Sequence, residues 1–255
     1  MKKLKVLVGL SILLLLIPVI PTQAAVKKTT VGVSSAFAER AGAVEIGIFI
    51  SSDEKIAGGS LDIVYDADQL RIRDTDVKLT DTLSSYLSSG GSDAAGTVSL
   101  SFAKGTGSLV DGTVMNLSTY VETPGVGKEI ALTLENVELY NEQGKKIDAQ
   151  LVHGQIKPFK GKEDTYSNAV TGDKEWVITL SNPYNLATLN THAISMKRGT
   201  VSVPVEVEAV GDTKFKVKPV GKYARGTYTM EITEQLRSAN GAKLSQPVRF
   251  TFKVN

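Results

Sequence analysis

Residues 56–72 read Ile-Ala-Gly-Gly-Ser-Leu-Asp-Ile-Val-Tyr-Asp-Ala-Asp-Gln-Leu-Arg-Ile, and the fold follows from how that stretch alternates. Leu61, Ile63 and Tyr65 take turns with Ser60, Asp62 and Val64, the period of a strand with one face in a core. Asp66-Ala67-Asp68 ends the strand, because an Asp side chain can accept from the backbone two residues on and turn the chain. Leu70 and Ile72 then return apolar side chains to the same core. Gly58 and Gly59, just upstream, permit close approach of another backbone or of a partner.

The pattern recurs outward from this unit. Short β-branched or alternating runs fall at 31–33, 44–50, 60–65, 97–102, 114–121, 129–134, 137–140 and 151–156. Turn-forming clusters separate them, among them Ser89-Gly90-Gly91-Ser92, Asp111-Gly112 and Pro124-Gly125. Residues 80–87 are the one stretch with a helical turn in prospect, with Asp81 near its start. A charged segment containing Pro158 and Gly161 spans 158–164 and reads as a linker. Strand-like runs resume at 175–180, 193–197, 201–207, 214–219, 227–233 and 248–254, with Trp176, the only tryptophan, expected in that unit's core. The fold class is therefore all-β, with one unit over 26–157 and a second over 165–255 whose size suits an immunoglobulin-like sandwich.

Composition bounds the function. The chain of 255 residues carries a net charge of +2 with acids and bases interspersed, which gives no electrostatic case for nucleic acid or a membrane surface as partner. It has no cysteine, which removes thiol nucleophiles, thiolate metal sites and disulfides together. Residues 1–24 have the layout of a secretory signal peptide: Lys2, Lys3 and Lys5, then an apolar run to Ile17, then Thr22-Gln23-Ala24 as a cleavage site. The run is short for a bilayer span. The mature protein is expected outside the cell, free or associated with the cell wall, and off the membrane once the signal is removed.

Catalysis has little to work with. His153 and His192 lie in different units with no partner constellation beside either, so both read as ordinary residues and the protein as a non-enzyme with no catalytic residues. The run Asp62, Asp66, Asp68, Asp74 and Asp76 lacks the spacing of a Ca²⁺ loop and reads as turn capping, so no metal and no cofactor is expected. A glycoside-processing enzyme would need two carboxylates across a cleft, and no such pair is evident. A sugar-binding surface would need an exposed aromatic. Tyr86, in a serine-rich stretch, is the foremost choice, ahead of Tyr120, Tyr140 and Tyr184.

The unit ending in Tyr65-Asp66-Ala67-Asp68-Gln69-Leu70 resembles the Tyr-Asp-Pro-x-x-Leu signature of cohesin domains, with Ala67 in place of the proline. Residues 98–103, Asp111-Gly112-Thr113-Val114 with 117–121, and 135–147 resemble further strands and the closing hairpin of that family in the same order. The resemblance implies a nine-stranded jelly-roll sandwich that recognises a dockerin-like protein module, on a fold shared with carbohydrate-binding domains. On the strand before Tyr65, where dockerin-binding cohesins tend to carry Asn and Asp toward the partner, this chain has Gly58 and Ser60. The binding face so implied holds Gly58, Ser60, Asp62 and Val64. Residues from about Tyr166 onward, through 176–181, 223–230, 238–244 and 250–252, are similar to Ig-like repeats of bacterial surface-layer proteins, which implies a spacing or display role. The expectation is a surface binding or scaffold protein whose partner is a protein module or a polysaccharide, or else a purely structural surface component.

Overall fold

Alternation along the strands sorts side chains into two separate cores, and these define the architecture of the computed structural model. It describes residues 29–199 and 201–255; the signal-peptide expectation for 1–24 lies outside the described residues. The chain is all-β, a jelly-roll sandwich followed by an immunoglobulin-like one. The first unit contains β1 (Thr30–Val33), β2 (Ala36–Phe37), β3 (Gly42–Ser51), β4 (Ile56–Val64), β5 (Leu70–Arg71), β6 (Val77–Leu79), β7 (Leu87–Ser92), β8 (Thr97–Ser108), β9 (Asp111–Val121), β10 (Ile130–Tyr140), β11 (Gln150–Val152) and β12 (Gly154–Lys157). One sheet runs β11-β1-β3-β9-β5 with β6 also on β9, and the other runs β2-β12-β10-β4-β8-β7. Leu61, Ile63, Val98, Leu100 and Leu132 from the second sheet meet Ile46, Ile48, Val114 and Leu117 from the first in one aliphatic core.

The Asp66 turn forms as its chemistry dictates: Asp68 N donates to Asp66 Oδ1 at 3.0 Å, and Leu70 and Ile72 are buried beyond it. Gly59 faces inward, where a Cβ would sit 2.5 Å from Glu138 O, and a Cβ on Gly58 would come within 3.0 Å of Phe102 O. Their smallness thus serves the neighbouring strands of the same sheet. Three further readings are corrected. Residues 89–92 are part of an edge strand, where Gly90 packs closely enough that an added Cβ would lie 3.2–3.3 Å from Met115, Leu79 and Val77. The run 151–156 is two strands in different sheets, joined where His153 crosses between them; its Nδ1 accepts from Leu134 N at 3.0 Å and stands in for a missing ladder carbonyl. The helical turn expected over 80–87 shrinks to a single 3₁₀ turn, Asp81–Leu83.

The second unit contains β13 (Lys162–Val170), β14 (Trp176–Thr179), β15 (Ile194–Arg198), β16 (Val201–Ser202), β17 (Val205–Ala209), β18 (Lys214–Pro219), β19 (Gly226–Ile232) and β20 (Val248–Val254). Its sheets run β13-β20-β19-β15-β16 and β14-β18-β17. The core between them is aromatic: Trp176, Phe215, Tyr223, Tyr228 and Phe252 are all buried. Residues 162–164, assigned from sequence to the linker, begin β13 and pair in parallel with Val248, Arg249 and Phe250. The charge and missing alternation that disguised this strand have one cause, since nearly all of β13 is exposed on both faces.

Candidate functional site

The outward side chains of β4 stand in the middle of the second sheet, so their neighbours follow from the register. Ser60 lies between Ser101 on β8 and Glu138 on β10, and Asp62 between Ser99 and Glu135. Gly58 is flanked by Ala103 and Tyr140, and Val64 by Thr97 and Thr133. β7 extends the same face with Ser89 opposite Ser101 and Leu87 opposite Ala103. The fold therefore brings Gly58, Ser60, Asp62 and Val64 onto one surface, as the alternation from 58 to 65 requires. That surface is shallow, because serine, glycine and alanine occupy its centre on three adjacent strands. Its most exposed apolar group, Leu87, is 85% exposed at the outer edge.

Polar groups on this face are held by one another. Asp62 accepts from Ser99 Oγ at 2.6 Å and from Asn136 Nδ2 at 2.8 Å. Asn136 has φ +49° and sits where the β4–β10 register shifts, so the bulge that turns its backbone left-handed also aims its amide at Asp62. Glu138 accepts from Tyr140 OH at 2.9 Å and from Lys146 Nζ at 3.2 Å; both bonds, Tyr140's first, hold its carboxyl below the usual glutamate range. The same bond pushes the Tyr140 phenol up. A preset row of carboxylates thus borders a strip of hydroxyls and bare backbone.

Tyr86 does not join this surface. It is 8% exposed, its OH donates to Ile56 O at 2.7 Å, and its ring meets Phe102 edge-on. The serines around it made the stretch look exposed, but Tyr86 follows a buried Leu83 and turns inward with it. Tyr184 is likewise buried, with its OH donating to Gly211 O at 2.8 Å. Tyr120 keeps partial exposure on the opposite sheet, with the Arg71 guanidinium 4.7 Å from its ring centre. The acidic run is dispersed into local capping: Asp74 Oδ1 accepts from Ser92 N, Asp76 Oδ2 from Arg73 N, and Asp66 from Asp68 N.

The junction between the units is the feature sequence reading missed. Phe49 points out of the first sandwich, across Gly32, and the His192 ring stacks on it at 3.8 Å and 13°. Gln235 bonds the first unit with both ends of its amide: Nε2 donates to Val33 O at 2.7 Å, and Oε1 accepts from Ser35 N at 3.1 Å. Lys157 Nζ lies 2.8 Å from Glu234 Oε1. Arg249 grips the buried Glu231 through Nε and Nη2, reaches Glu39 of the first unit at 2.9 Å, and covers Phe159, which itself meets Phe37 edge-on. The one available signal was Phe49, an aromatic at an outward position of β3.

Comparison with known proteins finds matches for both units. Residues 158–254 match the model of the bacterial Ig-like domain. Among solved structures, the first half of the chain is similar to a non-cellulosomal cohesin from the archaeon Archaeoglobus fulgidus, at 20% identity and TM-score 0.45, over 52% of this chain and 92% of that one. It is also similar to a cohesin of Clostridium acetobutylicum, at 22% identity and TM-score 0.43, over 51% of this chain and 89% of that one. A type I cohesin–dockerin complex from Clostridium thermocellum matches at 13% identity and TM-score 0.46, over 52% of this chain and 99% of that chain. The search of curated proteins finds no match.

Proposed function

We propose that this chain is a secreted, non-enzymatic recognition protein of a bacterial surface or extracellular matrix. In this reading the first unit docks a dockerin-like protein module on the β7-β8-β4-β10 face, and the Ig-like unit presents it. One observation carries the reading: Gly58, Ser60, Ser99, Ser101 and Ser89 form a strip of small side chains across three adjacent strands, bounded by fixed carboxylates on one side and Leu87 on the other. A protein surface can lie flat on such a strip, place a donor group against Asp62 or Glu138 and bury Leu87 at the rim. A polysaccharide fits it less well, because Tyr86 is buried and the aromatic that does lie on this face, Tyr140 beside Gly58, is tied to Glu138 at the border of the strip.

The test is calorimetric titration of the full chain with a panel of purified dockerin modules. Binding to at least one module, weakened tenfold or more by Ser60→Arg and by Leu87→Asp, is the expected result. A module that binds wild type and Ser60→Arg equally would move the interface elsewhere, and no binding across the panel would remove the dockerin-like partner.

A further inference from the structure

Phe49 and Phe37 are buried, yet neither belongs to the first unit's core; the second unit and the connection leading to it cover them. The two sandwiches are thus joined by a formed interface, and its contacts divide into two patches. One patch holds the ion pairs of Arg249 and Lys157. The other is His192 on Phe49, with Gln235 in the neighbouring turn after β19, held close by Thr233 N donating to Ala193 O at 2.9 Å. We propose that this second patch is a pH-gated clasp: His192 docks on Phe49 as a neutral ring and, on gaining a proton in mild acid, releases the second unit from the first.

The geometry lays the imidazole flat on Phe49, half-buried between the two units. Asn190 Oδ1 accepts from both His192 N and Ala193 N at 3.0 Å, which fixes the loop that presents the ring. Phe49 closes one side of it, while Gly47, Thr113 and Asn116 lie beside it on β3 and β9. The charged groups facing this region are Asp111, Glu45, Lys78 and Lys197, with Glu206, Glu208 and Lys218 on β17 and β18 along the cleft beside Asp111 and Thr191. Asp111 on β9 favours the protonated ring, but its Oδ1 already accepts from Ser51 Oγ at 2.7 Å. Glu45 on β3 and Lys78 on β6 line the adjoining cleft, and Lys197 on β15 is turned to Glu231 at 2.9 Å.

Burial dominates this balance and pulls His192 down to about 4, against the weaker opposing pull of Asp111. The sign follows directly. An undocked His192 titrates near the ordinary value of about 6.5. Between that pH and about 4 the separated state therefore binds more protons than the docked one. Docking is undiminished above about pH 6.5, weakens as pH falls, and loses no more below about pH 4. The docking equilibrium changes on the order of a hundredfold over that window. The recognition face lies on the other sheet, so opening the clasp reorients the Ig-like unit and leaves that face intact.

The experiment is small-angle scattering of the full chain from pH 7.5 to 4.5, with circular dichroism at each point to confirm that both units stay folded. Wild type should expand as pH falls, and His192→Phe, which keeps a flat ring without a titrating nitrogen, should stay compact. Equal expansion of both proteins would assign the response to the ion pairs and overturn the proposal, as would a wild type that keeps its dimensions throughout. An NMR titration gives a second measurement that needs no His192 variant. The His192 ring should titrate near 4 in wild type and rise toward the ordinary value in Phe49→Ala. Identical midpoints in the two proteins would also overturn it.

Discussion

The two sheets of the first sandwich offer opposite outer faces. On the β1-β3-β9 sheet the outward positions include Phe49, and a second unit stacks His192 on it. On the β8-β4-β10 sheet the central outward positions are glycine, serine and alanine, and no described residue covers them. Both faces belong to strands with the same inward alternation and the same aliphatic core. The difference teaches that the outward phenylalanine marks a surface already covered within the chain, while an outward row of small polar residues marks a surface left open. Burial of a phenylalanine side chain is worth roughly 1.5–3 kcal/mol, which is enough to bias two adjoining domains toward one arrangement. Serines at the same place contribute little either way and leave the backbone within reach of a partner.

The severest way to break this contrast is to unfold the cover. Trp176 packs against Phe250 and Phe252 at 4.8 and 4.9 Å and against Tyr166 on the exposed strand β13. Trp176→Ala should therefore cost the second unit roughly 3–5 kcal/mol, the range for removing a large buried aromatic. The measurement is thermal unfolding by calorimetry with a dye that reports exposed apolar surface. Below its normal melting range the variant should bind dye at the uncovered Phe49 side, while the first core still melts cooperatively. Trp176 Nε1 has no hydrogen-bond partner among the described residues, so Trp176→Phe should lose much less.

A milder perturbation removes the contact and keeps both units. Phe49 lies outside the first core, so Phe49→Ala should leave that core's unfolding nearly unchanged. Its cost, roughly 1.5–3 kcal/mol, should appear as lost coupling between the two transitions. In calorimetry the wild type should show overlapping, mutually stabilised transitions, and the variant two independent ones. A large fall in the first unit's own melting temperature would mean that Phe49 supports its sandwich directly.

Legibility in the sequence followed the same division. Where one face of a strand is buried, alternation announced it: β4, β9, β14, β18, β19 and β20 all fall close to runs visible in the chain. β13 escaped because both its faces are wet, and a strand without a buried face has no period to detect. β7 escaped for the opposite reason, since Ser-Ser-Gly-Gly-Ser spells a turn by local propensity while tertiary packing under Val77, Leu79 and Met115 makes it a strand. The open face was legible because Gly58, Ser60, Asp62 and Val64 share one parity on one strand. Tyr86 was misjudged because its serine neighbours report local polarity and carry no information on which side the ring turns. The junction required pairing Phe49 with a residue 143 positions away, the difference between 192 and 49, and no local pattern encodes that.

The finest test compares two adjacent classes of residue on the open face itself. Tyr65 is buried at the end of β4, where burial pushes its phenol up, and Tyr65→Ala should destabilise the first unit by roughly 3–5 kcal/mol, as for other buried aromatics. Ser60, five residues earlier and of opposite parity, projects outward between Ser101 and Glu138 with no side-chain partner that its neighbours depend on. Arginine at 60 can extend over the strip toward Glu138 and needs no change of backbone, since the outward side of β4 is open there. Ser60→Arg should therefore shift stability by no more than about 0.5 kcal/mol, the usual scale for a surface substitution. Denaturant titration of the two variants side by side checks this. A stability loss in Ser60→Arg that approaches that of Tyr65→Ala would show that the open face is packed against something after all. A silent Ser60→Arg, together with weaker dockerin-module binding, would show that this surface is spent on recognition and not on the fold.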